Sequence, residues 1–119
     1  MPTVPVPSVI RDIARRAIDQ NMSLPISKRA AYKDENGKRV PGTGMRTARR
    51  LVSGKVDYDQ LILMRAWFAR HGASEKEKAQ RKDKTSKASI AWRLWGGSGT
   101  ISWINQMIRK LEKDRDKSK

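Results

Sequence analysis

Apolar side chains in this sequence recur three and four positions apart and nowhere alternate over the length of a strand. Val9, Ile10, Ile13, Ala14, Ala17 and Ile18 form one such stripe, and Met45, Ala48, Leu51 and Val52 a second. Leu61, Ile62, Met64, Trp67 and Phe68 supply a third, Ile90, Ala91, Trp92, Leu94 and Trp95 a fourth, and Ile101, Ile104, Met107, Ile108 and Leu111 a fifth. A repeat near 3.6 residues places side chains on one face of a helix. The expectation is therefore an all-α fold, a small bundle of four or five short helices. Ser8 is positioned to cap the first helix, and Asp57 with Gln60 three residues later resembles a capping box. Ser53-Gly54, His71-Gly72 and Gly96-Gly97 are the expected stops.

A chain of 119 residues has room for one core. Pro2, Pro5 and Pro7 keep residues 1–7 extended as an N-terminal arm, residues 8–111 form a single helical domain, and residues 112–119 a basic C-terminal tail. Within the domain, residues 21–44 carry Pro25, Asn36-Gly37, Pro41 and Gly42 without sustained periodicity, which reads as a long loop with at most one helical turn. Residues 73–89 hold six basic and three acidic side chains without an apolar stripe, and read as a solvated loop or a weak charged helix. The pair of helices on either side of Ser53-Gly54-Lys55-Val56 has helix-turn-helix spacing.

Lys and Arg number 27 against 12 Asp and Glu, a formal charge of +15 at pH 7. Such an excess calls for an anionic partner. Cysteine is absent and His71 is the sole histidine, which removes disulfides, thiolate metal sites and cysteine nucleophiles and leaves a metal no evident ligand set. No cofactor and no enzymatic activity is expected. No apolar run approaches the roughly 20 residues of a membrane helix, and residues 1–7 lack the pattern of a signal peptide, so no membrane association is expected.

Three segments are similar to a known pattern. Gly42-Thr43-Gly44-Met45-Arg46-Thr47-Ala48-Arg49-Arg50-Leu51-Val52-Ser53-Gly54, then Met64-Arg65-Ala66-Trp67-Phe68-Ala69-Arg70-His71, then Ile90-Ala91-Trp92-Arg93-Leu94-Trp95-Gly96-Gly97-Ser98-Gly99 ending at Trp103, together resemble a small bacteriophage-encoded domain without an assigned activity. Its pattern reads GTxxGxxRAxxLxxG, FFxRH and IAWxLWGGxxGxxW, and the likeness covers about Arg39 to Ile108. Here Pro41 precedes Gly42-Thr43 where that family has a further Gly, Trp67-Phe68 replaces its paired Phe, and Ser98 stands where Asp is frequent. The resemblance implies viral origin, with the protein in the host cytoplasm or the virion, and no particular chemistry.

Specific groove reading by the third stripe is disfavoured, because that helix begins Asp57-Tyr58-Asp59, whose carboxylates would face phosphate. Arg46, Arg49 and Arg50 on the outer side of the preceding helix are better placed for sequence-independent phosphate contacts. The four tryptophans read first as core and second as a stacking platform for unpaired bases, with Trp92 the ring most exposed. Gly96 to Gly99 permit close helix approach and offer only a weak phosphate nest. His71 is expected to cap its helix end or to pack on Trp67. The function expected is non-specific nucleic-acid binding through Arg46, Arg49, Arg50, Arg81, Lys82, Lys84, Arg93, Arg109, Lys110 and the tail Lys113 to Lys119, with DNA preferred over RNA. The alternative is a virion-assembly or host-modulating module that docks on an acidic protein through residues 21–44.

Overall fold

A computed structural model describes residues 2–117, so Met1, Ser118 and Lys119, which fall in the expected arm and tail, lie outside the described residues. In chain order the elements are β1 (Thr3–Pro5), α1 (Ser8–Met22), a single 3-10 turn (Ile26–Lys28), β2 (Tyr32–Glu35), β3 (Lys38–Pro41), α2 (Thr43–Ser53), β4 (Lys55–Asp57), α3 (Tyr58–Gly72), α4 (Glu75–Gln80), α5 (Lys87–Leu94) and α6 (Thr100–Lys117). The fold is mixed α/β, which overturns the all-α expectation: two small antiparallel sheets accompany six helices among the described residues.

The first sheet joins the chain's start to the α2–α3 connection. Thr3 lies opposite Asp57, Val4 opposite Val56 and Pro5 opposite Lys55. Val4 and Val56 are both buried, and the Val6 amide donates to the Gly54 carbonyl at 2.9 Å. Residues 3–5 are thus extended as expected, but they are a paired strand rather than a free arm. A three-residue strand is too short to show alternation, and Pro5 is tolerated because each strand of a two-stranded sheet has an open edge.

The second sheet is a hairpin inside the segment read as a loop. Tyr32 to Glu35 pair with Pro41 to Lys38 around Asn36 (φ 53°) and Gly37 (φ 80°). Two consecutive left-handed residues make the tight turn whose twist matches paired strands, and Asn-Gly is its commonest sequence. The flanking residues Lys33, Asp34, Glu35 and Lys38 are exposed and charged, so the strands present no apolar face.

The helices meet in one core. Ile10, Ala14 and Ala17 of α1, Met45, Ala48 and Leu51 of α2, Leu61, Met64 and Phe68 of α3, Ile90 and Leu94 of α5, and Ile104 and Ile108 of α6 are all buried. Each fully buried Leu, Ile or Met contributes about 1.5–3 kcal/mol. α1 packs on α2 and α5, while α3 packs on α6. The helices that flank Lys55 to Asp57 therefore find their main partners elsewhere, and their joint is a paired strand rather than the turn of a helix-turn-helix.

Helix ends follow the sequence in part. Asp57 accepts from the Gln60 amide at 2.9 Å, and Gly54 at φ 99° closes α2. Ser8 is the first residue of α1 and makes no capping hydrogen bond. Residues 73–89 contain α4, capped by Ser74, and a turn in which Asp83 accepts from the Thr85 amide and hydroxyl. α6 continues to Lys117, so residues 112–117 extend a helix rather than fraying into a tail.

Candidate functional site

α5 sets its side chains into two clefts that share a wall. Gly96 and Gly97 end the segment at φ 109° and 80°, left-handed conformations that strain any residue with a side chain. A Cβ on Gly96 would meet Thr100 and the Ile10 methyl, so this glycine is what lets the α5–α6 turn sit against α1. The Thr100 hydroxyl donates to the Gly96 carbonyl at 2.8 Å. Those contacts fix Trp92 and Arg93 relative to α1.

The first cleft, about 560 Å³, lies between α1, residues 81–84 and α5, and its ionisable lining residues are Arg16, Arg81, Lys84 and Arg93. None of the four has a carboxylate within 4 Å among the described residues. Neutral groups hold Arg93 in place instead. Its guanidinium donates to Gln20 Oε1 at 2.6 Å, to the Lys84 carbonyl at 2.7 Å and to Ser89 Oγ. Burial lowers the Arg93 pKa from its ordinary value. Fixed cations with unanswered charge form an anion-binding surface.

The second cleft, about 340 Å³, is aromatic and apolar, lined by Leu63, Trp67, Trp92, Trp95 and Ala91 with Arg70, His71 and Glu77 among its polar residues. Trp67 stacks on Trp95 at 4.6 Å between ring centres and 10° between planes, and His71 lies 4.4 Å from Trp67. Phe68 meets Trp92 edge-on at 4.8 Å. His71 Nδ1 is 2.8 Å from Glu77 Oε1, an ion pair when the imidazole is protonated. Ala31, also on the wall, holds φ 58°, a left-handed conformation that costs an L-residue about 1–2 kcal/mol. Arg81 belongs to both clefts: its guanidinium lies 3.9 Å from the centre of the Trp92 ring and donates to the His71 carbonyl.

Of the residues the sequence nominated, Arg81, Lys84 and Arg93 come together. Lys82 is exposed beside them without lining the cleft. Arg46, Arg49 and Arg50 are exposed on α2, where Arg46 donates to Thr43 Oγ1 and Arg50 lies 3.5 Å from Asp57. Arg109, Lys110 and Lys113 are exposed on α6. Arg16, Gln20 and Glu77 were not foreseen. Ile13, Arg16 and Gln20 share one face of α1, so the first two signals were legible as a polar strip beside the apolar stripe. The pairing of His71 with Glu77 depends on α4 folding back on α3, which no local pattern announces. Among the described residues no group of three or more His, Cys, Asp and Glu is gathered to hold a metal ion, and no helix is long and apolar enough to cross a membrane.

In comparisons with known proteins, no family model, no curated protein and no solved structure matches this chain.

Proposed function

We propose that this is a small basic phage protein that binds nucleic acid, DNA before RNA, without sequence specificity and through phosphate contacts. One observation carries the reading: Arg16, Arg81, Lys84 and Arg93 line a cleft whose ionisable residues are all cations, and the groups that orient Arg81 and Arg93 are neutral. Phosphate is the natural answer to such a site, because its oxygens accept from guanidinium groups in a bidentate manner. Exposed arginines on α2 and cations on α6 widen the surface over which a polyanion can be neutralised. Asp57 and Asp59 at the start of α3 argue against base reading in a groove, as they did in the sequence.

Fluorescence anisotropy with labelled DNA at several salt concentrations tests the proposal. Affinity should fall linearly on a double-logarithmic plot, with a slope of about −0.9 per neutralised phosphate on duplex DNA. Arg93→Gln and Lys84→Gln should each weaken binding uniformly across sequences and reduce the slope by about 1. Absence of binding at low salt, or affinity indifferent to salt, sinks the reading.

A further inference from the structure

We propose that the aromatic cleft is a base-binding site, so that the ligand is a single strand: an unpaired base enters between Leu63, Trp67 and Trp92 while its phosphate lies in the adjoining cationic cleft. This rests on the nucleic-acid reading above and narrows it to one class of strand. Arg81 and Trp92, which touch each other, line both clefts. One is wholly cationic in its ionisable groups and the other largely aromatic. A nucleotide has the same two-part character, an anionic phosphate beside a flat apolar ring. A duplex cannot satisfy both clefts at once, since its bases are stacked and paired inside; an unpaired strand can.

Details of the aromatic cleft agree. Leu63 is 42% exposed, a large apolar side chain left facing solvent at the rim, and Trp67 and Trp92 are only partly buried. The cleft volume of about 340 Å³ falls in the range of roughly 300–1,000 Å³ of small-ligand sites. Arg81 spends one N–H on the His71 carbonyl and lays its guanidinium over Trp92, which leaves further N–H donors for a phosphate at the boundary. Arg70, His71 and Glu77 offer donors and acceptors to a base edge without the paired geometry that would select one base. Strain at Ala31 on the same wall is the kind of cost that collects at ligand sites.

The test compares a labelled oligothymidylate with a labelled duplex of equal length, by anisotropy and by the intrinsic tryptophan emission of the protein. The single strand should quench that emission and the duplex should not. Leu63→Gln, at an exposed position, and Ala88→Gln, which fills the cleft, should each weaken single-strand binding about tenfold more than duplex binding. Circular dichroism melting establishes that both variants are folded. Arg93→Gln should weaken both ligands alike. Equal effects of Leu63→Gln and Ala88→Gln on the two ligands, or tryptophan emission unmoved at saturating single strand, overturn the base site while the phosphate reading stands. Failure of both ligands to bind the unaltered protein at low salt removes the phosphate reading and the base site with it.

Discussion

Asn21 and Ala30 exchange two hydrogen bonds across the first turn of the α1–β2 connection: Asn21 Nδ2 donates to the Ala30 carbonyl at 3.0 Å, and the Ala30 amide donates to Asn21 Oδ1 at 2.9 Å. Both residues are buried. The side chain of Asn21 thus acts as a strand partner for a stretch of backbone that has none. Asn21→Leu is expected to leave the Ala30 amide and carbonyl buried and unpaired, at a cost of about 1–3 kcal/mol for each orphaned group. Urea denaturation of the variant measures it, and a loss below about 0.5 kcal/mol would show that the bridge is dispensable.

Gly96 and Gly97 make a matched pair of tests. Both have left-handed backbones, but a Cβ on Gly96 collides with Thr100 and Ile10, whereas one on Gly97 meets only the Ile13 methyls at 3.6 Å and 3.9 Å. Gly97→Ala should cost about 1 kcal/mol, the conformational term alone. Gly96→Ala should cost about 2 kcal/mol or more, because contact strain is added. Thermal melting of the two variants side by side reads the difference, and equal losses would contradict the packing described.

Arg93 ties three segments together through a planar fork, which lysine cannot reproduce. Arg93→Lys keeps the charge and should release residues 81–86 from α1 by about 1–2 kcal/mol. Limited trypsin digestion follows this directly, since Arg81, Lys82 and Lys84 are cleavage sites in that segment. Cleavage there should accelerate in the variant, and an unchanged rate would mean that the fork does not hold the segment.

Two groups predict opposite limbs of the stability profile. Asp83 has its pKa lowered from an ordinary value of 3.8, chiefly by the hydroxyl and amide of Thr85. The fold favours its carboxylate, so this stabilisation is present above that value and is lost as pH falls through the lowered pKa. Tyr58 has its pKa raised from 10.0, first because its hydroxyl donates to Glu112 Oε2 at 2.8 Å. The fold favours the neutral phenol, so this stabilisation is present below 10.0 and is lost as pH rises through the raised pKa. Stability measured against pH should flatten on the acid side in Asp83→Asn and on the alkaline side in Tyr58→Phe. An alkaline limb unchanged in Tyr58→Phe would count against the Glu112 contact.

The longer helices were legible because their burial is one-sided and their apolar residues repeat. Met45, Ala48 and Leu51 on α2 and Ile104 and Ile108 on α6 were expected to face inward and are buried. The strands were not legible, for a different reason in each sheet. Val4 and Val56 are single buried residues in three-residue strands, so their pairing is visible only in three dimensions. Asn36-Gly37 did carry the signal of a tight turn, but the strands around it are charged on both faces and an apolar alternation never develops. The candidate site divides the same way. Arg81 and Lys84 stood out as cations in a basic stretch and Arg93 as the cation between two tryptophans, whereas their convergence with Arg16 requires α1 and α5 to pack, a contact between residues far apart in the chain. Trp92 was singled out for partial exposure, and its guanidinium cover from Arg81 follows from the turn after α4.

The pairing of Thr3 to Pro5 with Lys55 to Asp57 sets an order of events during synthesis. The opening residues leave the ribosome first yet have nothing to pair with until the connection after α2 has followed them. α1 and α2 can meet in the meantime, since both are local in their hydrogen bonding. Val4 can close over Val56 only once that connection has been made, and the pairing carries any N-terminal extension to the doorstep of α3.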